Sequence, residues 1–262
     1  MQFDIVLPLT ISIITIATVW LYEKFETRIK SLFEEKEFQI RDVVFLVIAM
    51  GVMVTVIVFV PQQAIQVLFL TAYSFVLFLF TYVATEKLYF AVLPPIVFVA
   101  LYLFFWDIVL LNIFAVIFAV FISVYLGGLF SWTTVLVFAG LITVMDFIQV
   151  FGTGFMGEAA GKFINLKLPV LIDVPTFPIE GGIRLGLGDI FLAGLLAIQT
   201  AQKYSRRAGV TSAISVGFAF FLFEVALFYY EFASFFPATL VVVGGWLLGL
   251  GLHHIIEQKR AS

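Results

Sequence analysis

Cysteine is absent from this 262-residue chain. That excludes thiol nucleophiles, disulfides and thiolate metal sites. Charge is also scarce: Asp, Glu, Lys and Arg make up 12% of the residues, about half the share of a soluble domain. The net charge of −3 is spread thinly, and without a basic patch no nucleic-acid partner is expected. A cleavable leader is not evident. The first apolar run, "IVLPLTISIITIATVWLY", follows Asp4 instead of a basic stretch and is longer than a leader core, so it is read as a retained first helix. The two histidines, His253 and His254, are adjacent and would point about 100° apart on a helix. No metal site and no cofactor are expected. The strand alternation of an outer-membrane barrel is missing, as is any repeat of fixed period.

What is abundant is apolar sequence, 63% of residues. Nine apolar segments stand out, at about 5–22, 43–60, 64–84, 89–106, 108–126, 132–151, 185–203, 210–230 and 234–256. Backbone groups in lipid must pair internally, so these are expected as membrane helices. The fold class is therefore an all-α polytopic membrane protein with nine transmembrane helices. It forms a single membrane domain over 1–262: helices 1–6 within 1–151, an extracytosolic loop at 152–184 and helices 7–9 within 185–262. The fourth and fifth segments are separated only by "WDIV". Residues 23–42 read as a charged helical loop, and "LKLPVLIDVP" in the long loop reads as a strand or hairpin beside helices 6 and 7. Nine crossings put eleven of the basic residues on one side and three, Lys162, Lys167 and Arg184, on the other. The positive-inside bias then places the N-terminus and the 152–184 loop outside and the C-terminus in the cytosol.

Charges inside such segments are costly, about 2.5–3.5 kcal/mol at a helix centre, and default to function. Asp146 lies five residues before the end of helix 6, and Asp189 about five residues into helix 7. On antiparallel neighbours both fall roughly 7 Å below the outer boundary, the depth match that a paired-carboxylate site needs. Gly186 and Gly188 flank Asp189 and remove bulk, so that another backbone can approach. The same motif, "GLGD", lacks the third glycine and the preceding strand of a dinucleotide site.

Three motifs, "MDFIQVF" (145–151), "LGLGD" (185–189) and "FPATL" (236–240), resemble the signatures of the GxGD intramembrane aspartyl proteases, the presenilin and signal peptide peptidase family, and most resemble archaeal presenilin homologues. Their order, the nine segments and the proline-bearing loop before GLGD all agree, so the resemblance covers nearly the whole chain. It implies a catalytic pair, Asp146 and Asp189, with Gly186, Leu187, Gly188, Pro237, Ala238, Thr239 and Leu240 shaping the site. It also implies an integral, multi-pass enzyme of a prokaryotic plasma membrane. Its substrates would be transmembrane segments of other proteins, its surroundings the lipid bilayer, and a homo-oligomer is left open. Two departures stand out: Met145 replaces the family's tyrosine before the first aspartate, and Thr239 follows Pro-Ala where the family has leucine. The predicted orientation resembles signal peptide peptidase more than presenilin.

Two close carboxyls cannot both ionise, so the pair is expected to share a proton, one member activating water and the other donating to the carbonyl oxygen. Two other readings compete. One is a proton or cation transporter using Asp146, Asp189 and Glu224, although no inverted repeat is apparent. The other is a prepilin-peptidase-like GxGD enzyme, whose site would face the cytosol. Glu224, Gln149 and Asn112 are read as structural hydrogen-bonding residues, and Arg184 as snorkelling outward instead of pairing with Asp189.

Overall fold

The computed structural model describes residues 3–32, 36–178, 181–230 and 236–261. The chain begins with α1 (Val6–Leu32), α2 (Ile40–Phe59) and α3 (Gln62–Thr85). A helix interrupted at Val92 follows as α4 (Leu88–Ala91) and α5 (Leu93–Phe104), then α6 (Ile108–Gly127) and α7 (Trp132–Phe147). A π-helical turn, Ile148–Thr153, continues α7. After it come α8 (Phe155–Asn165), strands β1 (Leu171–Pro175) and β2 (Gly182–Gly186), and helices α9 (Leu187–Lys203), α10 (Arg206–Tyr230) and α11 (Ala238–Ala261).

Each expected apolar segment falls largely on a helix, although the seventh begins in a strand at 185–186 and positions 234–235 of the ninth lie outside the described residues. Seven helices are long and apolar enough to cross a membrane, with Leu88–Phe104 as a shorter apolar helix, and α9 has 17 residues. The protein is thus a helical, multi-pass membrane protein with one small sheet. Phe45, Phe59 and Phe104 are 73%, 74% and 75% exposed, an outer surface suited to lipid. Local signals set the breaks. Asp107 accepts the Leu110 N–H at 2.7 Å and starts α6, which separates the fourth and fifth segments. Pro94 and Pro95 open α5, where their missing N–H groups cost little. Ser131 and Thr134 form a reciprocal cap on α7.

Two regions differ from the sequence reading. α1 runs on through the first part of the charged stretch to Leu32, and α8 occupies part of the long loop. The glycines of "GTGFMGEAAGKF" read as loop, but packing overrides their weak propensity. The Lys162 ammonium of α8 donates to the Ile57, Val58 and Val60 carbonyls at 3.0, 2.6 and 2.9 Å, satisfying the open end of α2.

The centre of the molecule is α9, buried continuously from Ile190 to Thr200. It packs against α1, α6, α7, α10 and α11, as suits a helix with no polar face. Two of its buried polar groups find partners on neighbouring segments. Gln199 donates to the Gly127 and Phe130 carbonyls at 2.9 and 2.8 Å, and Thr200 accepts from the Trp246 indole at 2.8 Å. Gly245 and Gly249 of α11 let α10 come so close that a Cβ at either would lie 2.7 Å from the Cα of Val216 or Ser212.

The two ends of the bundle are tied separately. At one, Arg206 meets Glu23 at 3.4 Å and Arg28 donates to the Ala84 carbonyl at 2.7 Å. At the other, the Trp106 indole donates to the Lys167 carbonyl at 2.8 Å, and Asp4 caps α1 and accepts the Phe177 N–H at 2.7 Å. The hairpin lies at this second end. β1 and β2 pair antiparallel, with Asp173 opposite Arg184 and Leu171 opposite Gly186.

Candidate active site

α7, α9 and α11 converge in pairwise contact and carry the three sequence motifs. Asp146 sits in the last turn of α7, just before the π-helical turn. Such widened turns interrupt the regular ladder and recur at functional sites. Asp146 is 6% exposed. Its Oδ2 accepts the Thr239 hydroxyl at 2.7 Å. Asp189 lies within electrostatic reach of Asp146.

Asp189 stands nearer its helix start than the sequence reading has it. β2 ends at Gly186 and α9 begins at Leu187, so the acid occupies the first helical turn, where the helix dipole favours negative charge. The chain passes from strand to helix within one residue, and the Leu187 N–H donates to the Val170 carbonyl at 2.9 Å. The two glycines divide their work. A Cβ on Gly186 would lie 3.0 Å from Asp189 Oδ2, so Gly186 makes room for the carboxylate of its own motif. A Cβ on Gly188 would meet nothing within 4 Å. Gly188 therefore borders open space beside Asp189 and admits no neighbouring backbone, contrary to the expected close approach.

The "FPATL" motif marks a helix start. α11 begins at Ala238, and the buried Pro237 precedes it instead of bending its interior. Proline fits there because its ring presets a helix-compatible φ. Phe236 is fixed between Phe223 and Phe151, with ring centroids 4.6 and 6.4 Å away. Ala238 packs on the main core, Thr239 is buried and Leu240 is 40% exposed. Thr239, a departure from the family's leucine, supplies a hydrogen bond to Asp146. A hydroxyl in place of leucine was the available signal, but only the juxtaposition of α11 and α7 gives it a partner.

The remaining candidates separate from the pair. The Gln149 amide nitrogen donates to the Gly51 carbonyl of α2 at 3.0 Å, an interhelical bond as expected, while its Oε1 is buried without a partner among the described residues. The Met145 sulfur packs on Gly51, 3.0 Å from where a Cβ would stand. Glu224 is 2% exposed, has no hydrogen-bond partner for either oxygen among the described residues, and has Asp4 as its charged neighbour. Arg184 pairs with Asp173 at 3.0 Å, leaving Asp189 alone. His253 and His254 each face a neighbour on their own helix, Glu257 and Gln258.

Asn112 does more than its structural reading implied. It donates to the Asp173 carbonyl and accepts the Asp173 N–H, both at 2.8 Å, and so covers the outer edge of β1. Asp173 therefore turns its backbone groups away from β2, and Arg184 opposite it must turn its own outward as well. Among the described residues that outer edge of β2 has no partner strand, and it leads directly to Gly186 and Asp189. No protein-family model matches the chain, and no curated protein matches it in sequence.

Proposed function

We propose that the protein is an intramembrane aspartyl protease that hydrolyses peptide bonds within or near transmembrane segments of other proteins. The observation that carries this reading is the meeting of Asp146 and Asp189 from two helices within electrostatic reach, with the third motif bonded to one of them. One carboxylate takes a proton from water as the water oxygen attacks the scissile carbonyl. The other carboxyl gives its proton to the carbonyl oxygen, forming a tetrahedral diol. The diol collapses as the C–N bond breaks and the leaving nitrogen receives a proton. All nine apolar segments cross the membrane in this reading, with the N-terminus outside and the C-terminus in the cytosol.

A helical substrate hides its amides, so the cleaved stretch must be extended. The open edge of β2 offers it backbone partners. The outward groups of Arg184 and Gly186 would align such a strand toward Asp189, and the space bordered by Gly188 leaves room beside the acid. Separation of Glu224 from the pair weakens the transporter reading, which needed all three acids on one path.

The test is cleavage of a single-span membrane substrate by purified protein in detergent, read by mass spectrometry. The expected outcome is cleavage inside the apolar segment by the wild type and none by Asp146→Asn or Asp189→Asn. Activity surviving in either variant would refute the assignment.

A further inference from the structure

The two acids stand in unequal surroundings. Asp146 accepts the Thr239 hydroxyl at 2.7 Å. Thr239 is 6% exposed, so water does not compete for its hydroxyl. Its place in the helix explains why that hydroxyl is free to reach across. Within helices, threonine usually donates to the carbonyl four residues back, and Thr18, Thr55, Thr143 and Thr200 all do so here. Thr239 is the second residue of α11, so no carbonyl of the same helix stands four residues before it. The hydroxyl is committed to the carboxylate of another helix. Asp189, by contrast, is half-buried and has no hydrogen-bond donor among the described residues.

We propose that Thr239 is a positioning residue that holds Asp146 as the ionised member of the pair, making Asp146 the base and Asp189 the acid. The argument is one of charge and hydrogen bonding: a donor strengthens when its acceptor is ionised, and a direct hydrogen bond outweighs the helix-start dipole at Asp189, so the carboxylate that accepts the Thr239 hydroxyl keeps the charge and its neighbour keeps the shared proton. In the first step Asp146 takes a proton from water as the new C–O bond forms, and Asp189 gives its proton to the carbonyl oxygen. In the second, the diol returns a proton to Asp189. Asp146 delivers its own to the departing nitrogen as the C–N bond breaks. Atoms and charge balance, and the starting protonation is restored. The same hydroxyl fixes the side-chain angle of Asp146, so it sets both where the base points and which acid is the base. The helix start at Pro237–Ala238 thus acquires a chemical purpose, since it presents Thr239 to Asp146.

This inference rests on the aspartyl-protease reading, and its test separates the two. With the single-span substrate, Thr239→Val removes the hydroxyl at nearly constant volume, and Thr239→Ser retains it. A hydrogen bond to a charged group predicts that Thr239→Val lowers kcat about tenfold to a hundredfold with KM within about twofold, and that Thr239→Ser recovers most of the rate. Proton placement is read independently by carbon-13 NMR of protein labelled at the aspartate carboxyl carbons, with signals assigned by Asp146→Asn and Asp189→Asn. The Asp146 signal is expected at the carboxylate position and the Asp189 signal at the acid position, with Thr239→Val moving the Asp146 signal toward the acid. Reversed positions, or a Thr239→Val variant with wild-type kcat, would overturn the inference while leaving the protease reading intact. Absence of cleavage by the wild type, with both Asn variants equally inactive, would instead remove the reading on which it rests.

Discussion

At the scale of single residues, the glycines beside Asp189 make opposite demands. Gly186 is required by space: an added Cβ falls 3.0 Å from the carboxylate oxygen, and the acid must turn aside. Since a 1 Å misplacement of a reacting group costs on the order of a hundredfold, Gly186→Ala is expected to lower kcat by roughly tenfold without unfolding the protein. Steady-state kinetics alongside a melting curve would check this, and unchanged kcat would show that the carboxylate has another rest position. At Gly188 no atom stands in the way. Gly188→Ala should therefore stabilise the fold, by about 0.5–1 kcal/mol from helix propensity, measured as a higher melting temperature in detergent. Its cleavage rate should fall, because the methyl group enters the space through which a substrate reaches Asp189. A lower melting temperature would mean that the space is not open.

At the scale of elements, the hairpin is the part of the molecule best placed to bind a chain. Asn112 covers one edge with two hydrogen bonds, and β2 leaves the other uncovered. Replacing Asn112 by Ala strands two backbone groups of Asp173. A cost of about 1–3 kcal/mol is expected, seen as faster hydrogen exchange at the Asp173 amide. The open edge has its own test. Arg184→Pro removes an outward N–H while the pairing of Ile172 with Leu185 and Val174 with Ile183 stays available. Cleavage should be lost in Arg184→Pro and largely retained in Arg184→Ala, which loses the Asp173 ion pair but keeps the N–H. Equal activity in both would argue that the substrate strand does not pair here. The hairpin also shows where sequence reading reaches its limit. The apolar run and prolines of "LKLPVLIDVP" marked a strand, but nothing local showed that a side chain from α6 would occupy one edge and leave the other open.

At the scale of the whole molecule, the ring of helices around α9 makes the site possible. Asp146, Asp189 and Thr239 belong to segments up to 93 positions apart, and the central helix sets the spacing between α7 and α11. The cysteine-free sequence also makes orientation directly measurable. A cysteine placed at Asn165 should react with a membrane-impermeant maleimide in intact cells, and one at Lys203 only after the membrane is opened. The reverse pattern would invert the proposed topology and put the site on the cytosolic side. Much of this architecture follows from the sequence alone, because lipid leaves an apolar segment no choice but to satisfy its own backbone, and because an acid inside such a segment is too costly to be incidental. Helix positions, the hairpin and the two aspartates are therefore local properties of the chain. Which acid receives a donor, which glycine touches a carboxylate, which strand edge stays open and where Glu224 lies are not local. They depend on contacts between residues far apart in sequence, and only the packing of α6, α7, α9 and α11 brings those partners within reach.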